Sequence, residues 1–150
     1  MTKIGLIQMQ CGTEPEKNFA RATEFIRDAA KQGAQIVCLP ELFRSQYFCQ
    51  TEEHKNFDLA EKVPGNSTAA LGDVARETGT VIIASLFERR SAGVYHNTAA
   101  IINSDGNLLS QYRTMHIPND PLYHAKSSFA PGDHGFHTRK KSHGKIRVSL

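Results

Sequence analysis

A strand–helix–strand pattern at the amino terminus is the feature that most constrains the fold of this chain. Residues 3–9 (KIGLIQM) predict a short strand, and residues 14–31 predict a helix with one apolar face. Thr13 and Glu16 fit a capping box at the start of this helix. Residues 34–40 (AQIVCLP) are then typical of a strand buried on both faces. Two strands joined in this way form a parallel βαβ unit, so we expect an α/β protein.

The next part of the chain extends the same sheet and then changes its direction. Residues 67–78 predict a second amphipathic helix, and residues 80–88 (TVIIASLFE) predict a third apolar strand. Residues 94–103 and 107–113 are strand-like and flank Ser104-Asp105-Gly106, a turn signal typical of a hairpin. Parallel strands followed by a hairpin predict a mixed sheet in a layered α/β domain.

The size and composition of the chain suit a single globular unit in a reducing compartment. Its 150 residues are enough to bury a core, and no apolar run approaches the roughly 20 residues of a membrane helix. Residues 1–12 lack the long apolar segment of a signal peptide. Cys11, Cys38 and Cys49 are an odd number without paired spacing, which disfavours a disulfide framework. We expect a cytoplasmic protein that does not associate with membranes.

Two features near the end of the chain could bind other ligands, but neither pattern is strong. Basic residues crowd this segment, and they are Arg139, Lys140, Lys141, Lys145 and Arg147. No aromatic side chains interleave them to stack on bases, so nucleic-acid binding is not expected. His134 and His137 could bracket a metal ion, but this spacing alone is weak evidence, so no metal is expected.

Glu41 is the sharpest single candidate for chemistry. It lies just past the carboxyl end of a predicted apolar strand, within LPELF, and ligands of open α/β sheets bind at that edge. Among Leu39, Leu42 and Phe43 its carboxylate would be partly desolvated, which suits a general base. A glutamate at a strand end that simply points into water is the open alternative.

Seven blocks of sequence, taken in order, resemble the carbon–nitrogen hydrolases of the nitrilase superfamily. They are IGLIQMQ, GAQIVCLPELFRSQYFCQ, VPGNST, SLFERR, YHNTA, YRTMHIPNDPLY and PGDHGF. Within this family the blocks are most similar to the N-carbamoylputrescine amidohydrolases. The resemblance implies the amino-terminal half of an αββα sandwich, with a mixed sheet and helices on one face. Residues 1–150 would then be a partial domain, and the family's subunits assemble into dimers or larger oligomers.

The resemblance also implies a catalytic set of glutamate, lysine and cysteine without a metal or organic cofactor. The thiolate attacks a carbamoyl or amide carbon, the carboxylate moves protons, and the ammonium stabilises the oxyanion. Glu41 matches the general base. Thr114 stands where the family has its lysine, and Ala125 stands where it has a second glutamate. The cysteine follows a strand beginning Gly-Lys-Ile, matched here from Gly144, and by this register it would come directly after Leu150.

We therefore expect a catalytically inactive relative of enzymes that hydrolyse N-carbamoylputrescine to putrescine, carbon dioxide and ammonia in polyamine biosynthesis. Cys38, Cys49 and Lys126 could in principle replace missing groups, but each has a plainer structural role. Two alternatives stay open. One is a non-catalytic partner that forms a homo- or hetero-oligomer with nitrilase-family subunits, and the other is a gene relic without function.

Overall fold

The computed structural model describes residues 1–118, 124–133, 135, 138–141 and 144–147. The strands that it describes are β1 (Ile4–Leu6), β2 (Ile36–Cys38), β3 (Val81–Ser91), β4 (Val94–Ile102), β5 (Leu108–Arg113), β6 (Thr138–Lys141) and β7 (Gly144–Arg147). The α-helices are α1 (Pro15–Lys31), α2 (Asn66–Thr78) and the single turn α3 (Ala125–Ser128), and short 3-10 helices occupy Phe48–Gln50 and His54–Leu59.

The first five strands form one mixed sheet in the order β1-β2-β3-β4-β5. The first three are parallel, as the βαβ pattern predicts, and β3, β4 and β5 are antiparallel. The predicted hairpin turn joins β4 to β5. A second hairpin was not predicted: β3 continues to Ser91 and turns through Gly93 into β4. β6 and β7 form a separate two-stranded sheet.

Both long helices pack on the same face of the five-stranded sheet, which confirms the predicted layering. The main core joins Ala22 and Ile26 of α1 and Leu71 of α2 to alternate residues of β3 and β4, such as Ile82 and Ala100. These strand residues share one face because side chains alternate along a strand. A smaller cluster of Ile36, Val81 and Ile101 lies on the opposite face. In the described part of the chain, no helix combines the length and the hydropathy needed to cross a membrane.

The capping box predicted for α1 is wrong. The helix begins at Pro15 with Glu14 as its N-cap residue, and no side chain caps it. Glu16 instead forms an ion pair with Arg44, in the segment that follows β2. Proline suits the first helical position because its missing N–H would have no partner there. Tertiary contact with Arg44 therefore decides where the Glu16 side chain goes.

Candidate active site

Glu41 lies three residues beyond β2, in a turn whose backbone is held in an unusual conformation. Leu42, the next residue, has φ of +48°, which places it in the left-handed region. This conformation is uncommon for a non-glycine residue and is found where surrounding contacts enforce it. Leu42 is buried but Glu41 is exposed, so of the two alternatives that the sequence left open the structure favours a solvent-facing glutamate over a partly desolvated one.

A chain of hydrogen bonds ties the Glu41 carboxylate to β3 and β4. The side-chain amide of Asn97, on β4, donates from Nδ2 to Glu41 Oε1 at 2.6 Å. Ser85, on β3, donates from Oγ to Asn97 Oδ1 at 3.0 Å and accepts the Leu42 N–H at 3.0 Å. Both side chains are buried, so the exposed carboxylate is anchored from beneath by a fixed polar support.

Thr114 lies beside this support. Its N–H donates to the carbonyl oxygen of Asn97 at 2.9 Å, which continues the β4–β5 ladder by one residue. Residues opposite each other in an antiparallel pair project to the same face, so Thr114 and Asn97 share the face that carries Glu41. Thr114 is 6% exposed, and among the described residues its Oγ1 has no hydrogen-bond partner. The structure thus brings Thr114 next to the residue that holds Glu41.

Ala125 is buried, as is Leu42 in the turn that carries Glu41. It belongs to an apolar cluster with Leu42, Cys49, Phe87 and others, and is 2% exposed. Lys126, the next residue, is exposed on α3. The structure therefore places a methyl group near the turn at this position and directs the adjacent ammonium to solvent.

All three cysteines are free, and their thiols are not activated. Burial raises the pKa of Cys11, Cys38 and Cys49 above the ordinary thiol value. The reactive form of cysteine is the thiolate, and a nucleophilic cysteine normally has a lowered pKa. Cys49 is the one whose pKa responds to the charge of Glu41, yet that charge raises its pKa further. None of the three has the environment of a nucleophile.

A buried ion pair on the opposite face of the sheet connects β3 to β5. Arg113 donates from Nε to Glu88 Oε2 at 2.7 Å and from Nη2 to Glu88 Oε1 at 2.5 Å, and Thr98 donates to the same carboxylate at 2.6 Å. Burial pushes the pKa of Glu88 upward, but the hydrogen bonds from Arg113 and Thr98 outweigh it, and the pKa lies below its ordinary value. Because Arg113 precedes Thr114, this pair fixes the strand end that carries the site.

The segment after α3 is fastened to the same strand end. Gly132 N–H donates to the Thr114 carbonyl oxygen at 2.9 Å, and Asp133 forms ion pairs with Arg90 at 2.5 Å and Arg113 at 3.1 Å. Hydrogen bonds from Arg90 and Arg113 lower the pKa of Asp133 to about 2. The carbonyl of Thr114 is therefore hydrogen-bonded to the segment that follows α3.

Sequence patterns did not identify Ser85 and Asn97 as members of the site. The available signals were the single polar residue in the apolar strand VIIASLF and the polar residues that precede the apolar end of YHNTAAII, and neither pattern singles out one residue as part of a site. The described residues contain no group of three or more His, Cys, Asp or Glu side chains that could hold a metal ion. His134 and His137 lie outside the described residues, as does Leu150, so the structure says nothing of the candidate histidine pair.

The fold and site together define an α/β protein that presents an anchored carboxylate beyond a parallel strand of a mixed sheet. Residues 3–150 match the family model described as carbon-nitrogen hydrolase. The chain belongs to the carbon–nitrogen hydrolase family of the nitrilase superfamily, as the sequence blocks predicted.

Similar proteins of known sequence include several amide-hydrolysing enzymes. The chain is 36% identical to an N-carbamoylputrescine amidase from Solanum lycopersicum, covering 100% of this chain and 50% of the relative. It is 39% identical to an omega-amidase from Homo sapiens, covering 87% and 48%. A crystal structure of a carbon-nitrogen hydrolase from Helicobacter pylori G27 superposes with a TM-score of 0.89 at 36% identity, covering 96% and 49%. The chain spans about half the length of these relatives.

Proposed function

We propose that this chain forms the Glu41-bearing part of an amidohydrolase site for carbamoyl amines or linear amides, and that it does not catalyse the reaction alone. The observation that carries the proposal is the hydrogen bond from Asn97 to Glu41, which holds the Glu41 side chain at the carboxyl edge of the parallel strands, where ligands of such sheets bind. The similarity to N-carbamoylputrescine amidases favours N-carbamoylputrescine as substrate, with putrescine, carbon dioxide and ammonia as products.

Glu41 is the proposed general base. Its exposed carboxylate can reach a substrate, while the Asn97 amide limits the orientations that the carboxylate adopts. A base at a fixed position can take a proton from an attacking nucleophile and return it to the leaving amine. The exposure of Glu41 means that a further surface has to exclude water when the site is in use.

The proposed inactivity rests on groups that the described chain lacks near Glu41. Thr114 offers an uncharged hydroxyl where the family pattern has an ammonium, and a hydroxyl stabilises an oxyanion far less than a cation does. Ala125 offers a methyl group where the pattern has a carboxylate. The three thiols have raised pKa values and are poor nucleophiles at neutral pH.

Turnover assays test the inactivity. The purified chain is incubated with N-carbamoylputrescine, and ammonia and putrescine are measured beside the matched variant Glu41→Gln, which keeps the shape of the side chain. We expect the two proteins to release equal amounts. Release by the unsubstituted chain above that of Glu41→Gln would show that the site is active as it stands.

A complementation assay tests the proposed hydrolase site. The chain is co-expressed with the carboxyl-terminal half of the Solanum lycopersicum amidase, and co-elution of the two is established first. We expect ammonia release when Thr114→Lys and Ala125→Glu are combined, and its loss when Glu41→Gln is added. A co-eluting complex with both substitutions that releases no ammonia would contradict the assignment of Glu41, Thr114 and Ala125.

A second candidate function is a non-catalytic partner of nitrilase-family subunits. The observation that favours it is the edge strand β1, where Ile4 is 56% exposed and Leu6 is 78% exposed on the sheet face away from α1 and α2. Exposed apolar side chains that adjoin the cluster of Ile36, Val81 and Ile101 offer a surface for association.

Light scattering after size-exclusion chromatography tests this alternative. The chain is mixed with the intact Solanum lycopersicum amidase, and a stable complex is expected if the β1 surface binds a family subunit. The variant Leu6→Lys should weaken the complex, whereas Lys17→Glu, on the exposed face of α1, should not. If the chain elutes from the mixture as a monodisperse monomer, without forming a complex with the amidase, the alternative is contradicted.

A further inference from the structure

We propose that Ser85 is a positioning residue for Glu41: its hydroxyl orients the Asn97 amide toward the carboxylate and also holds the backbone of Leu42. The inference deepens the proposed function, because it concerns the carboxylate to which that function assigns proton transfer. Ser85 itself does not reach the carboxylate; it acts through its two hydrogen-bond partners.

The protons available for hydrogen bonding determine how the Asn97 amide is oriented. The NH2 group of Asn97 faces Glu41, because the amide nitrogen donates this hydrogen bond and the Glu41 side-chain oxygen accepts it. The carbonyl oxygen of the same amide then faces Ser85, at 3.0 Å, and needs a donor. The Ser85 hydroxyl has a single proton, and donating it to Asn97 Oδ1 fixes the amide orientation in which Nδ2 meets Glu41 Oε1.

Without the Ser85 hydroxyl, nothing among these three side chains would oppose rotation of the amide. The rotated amide would place Oδ1 against the carboxylate, where two acceptors repel each other, so Glu41 would move away. Ser85 is 4% exposed and Asn97 is 4% exposed, so water is a poor substitute for the missing donor. The distance from Asn97 to Glu41 is therefore under the control of Ser85.

Ser85 also holds the backbone of Leu42. This residue directly follows Glu41 and has a φ of +48°, in a region that leucine rarely adopts. Its N–H donates to Ser85 Oγ at 3.0 Å inside the protein. One hydroxyl thus holds both the turn that carries Glu41 and the amide that orients its carboxylate. A serine that only fills space in β3 would not make both contacts.

Side-chain amide signals in NMR spectra distinguish positioning from packing. In the ¹⁵N-labelled chain, we expect one Asn97 Nδ2 proton to be shifted downfield by the carboxylate and to move upfield in Glu41→Gln. In the Ser85→Ala background, the same Glu41→Gln substitution should produce no shift. Ser85→Thr, which keeps the hydroxyl, should restore the response. Ser110→Ala, on β5 and on the same face as Ile101, is the matched control and should leave it unchanged.

Two results would overturn the inference. One is a change in the Asn97 Nδ2 proton shift on Glu41→Gln that is equally large with and without the Ser85 hydroxyl. The other needs no variant: a Leu42 amide that exchanges with solvent as fast as an unstructured amide would show that Ser85 does not hold the turn, so the test survives even if Ser85→Ala does not fold.

Catalysis gives an independent readout. In the complementation complex, Ser85→Ala should lower kcat by about 10²-fold with little change in KM, as expected for a misplaced catalytic group. An equal loss in Ser110→Ala would point to a general structural effect and contradict the inference. If the complex is inactive but the Asn97 Nδ2 proton shift depends on the Ser85 hydroxyl as expected, the proposed hydrolase function fails and the positioning by Ser85 stands.

Discussion

Replacing Arg113 with methionine tests the energetic role of the buried ion pair with Glu88, although it also removes the weaker ion pair with the exposed Asp133. The side chains of Arg113 and Glu88 are 5% and 2% exposed, so solvent does not screen their interaction. The substitution removes both donors at 2.7 and 2.5 Å and leaves Glu88 with the hydroxyl of Thr98 as its described side-chain donor. Breaking such a pair costs about 3–5 kcal/mol, because an uncompensated charge stays buried. That is a large share of the roughly 5–15 kcal/mol that stabilises a typical protein.

Urea unfolding followed by circular dichroism measures this cost, and its pH dependence identifies the cause. In the unsubstituted chain, Glu88 has a lowered pKa, so its contribution is present above the ordinary carboxyl value of 4.5 and is lost as pH falls through the lower folded value. In Arg113→Met, burial without the guanidinium raises the pKa of Glu88. The free energy of unfolding of Arg113→Met should therefore recover toward that of the unsubstituted chain as pH is lowered.

Two variants control this experiment. Arg90→Met removes an exposed ion pair with Asp133, and should cost far less than Arg113→Met because solvent screens this pair. Glu88→Gln combined with Arg113→Met removes both charges, so it should be more stable than Arg113→Met alone at neutral pH. The reasoning is refuted if Arg113→Met costs under about 1 kcal/mol, or if its cost grows as the pH falls.

Three further substitutions or modifications test the packing around the site. Gly132→Ala would place a Cβ 2.1 Å from the Arg113 carbonyl oxygen, so it should destabilise the chain by about 1–3 kcal/mol in urea unfolding. The control variant Gly12→Ala should be nearly neutral, because its Cβ would meet only a side-chain oxygen at 3.7 Å. Asp133→Asn removes a carboxylate whose pKa is about 2. A carboxylate with a lowered pKa stabilises the fold above its ordinary value of 3.8, and this stabilisation is lost as the pH falls toward 2. The free energy of unfolding of this variant should therefore depend less on pH in this range than that of the unsubstituted chain. Cys49, with 0% exposure and a thiol pKa raised by burial, should be alkylated by iodoacetamide only on unfolding, and labelling at the rate of a denatured thiol in the native chain would contradict its placement.

Local sequence patterns predicted most of the elements because each pattern corresponds to a local structural rule. Alternation of apolar residues and turn signals placed β1 to β5 and both long helices within a few residues. The capping box at Thr13 failed because Glu16 has a stronger partner in Arg44, which is distant in sequence. The β3–β4 hairpin was missed because the residues ERRSAGV carry no apolar alternation, although both strands pair along them.

The sequence likewise predicted some features of the candidate site and not others. The position of Glu41 followed from the end of an apolar strand, and the positions of Thr114 and Ala125 followed from the resemblance of their sequence blocks to a family. The sequence left the exposure of Glu41 open, since apolar neighbours in sequence do not determine which side chains cover a carboxylate. Leu42 and Phe43 are buried beneath the turn, and Glu41 points outward.

The sequence by itself determined the α/β class, the parallel βαβ unit and the glutamate just past the end of an apolar strand, because periodicity and turn chemistry act over a few residues. Only the tertiary structure decided what holds that carboxylate. Ser85, Asn97 and the Leu42 backbone are separated by up to 55 residues in the chain (97 − 42), and they meet because β3 pairs with β4 beside the end of β2. Hydrogen bonds between such distant residues leave no periodic pattern, so the support of Glu41 becomes visible only once the strands are assembled.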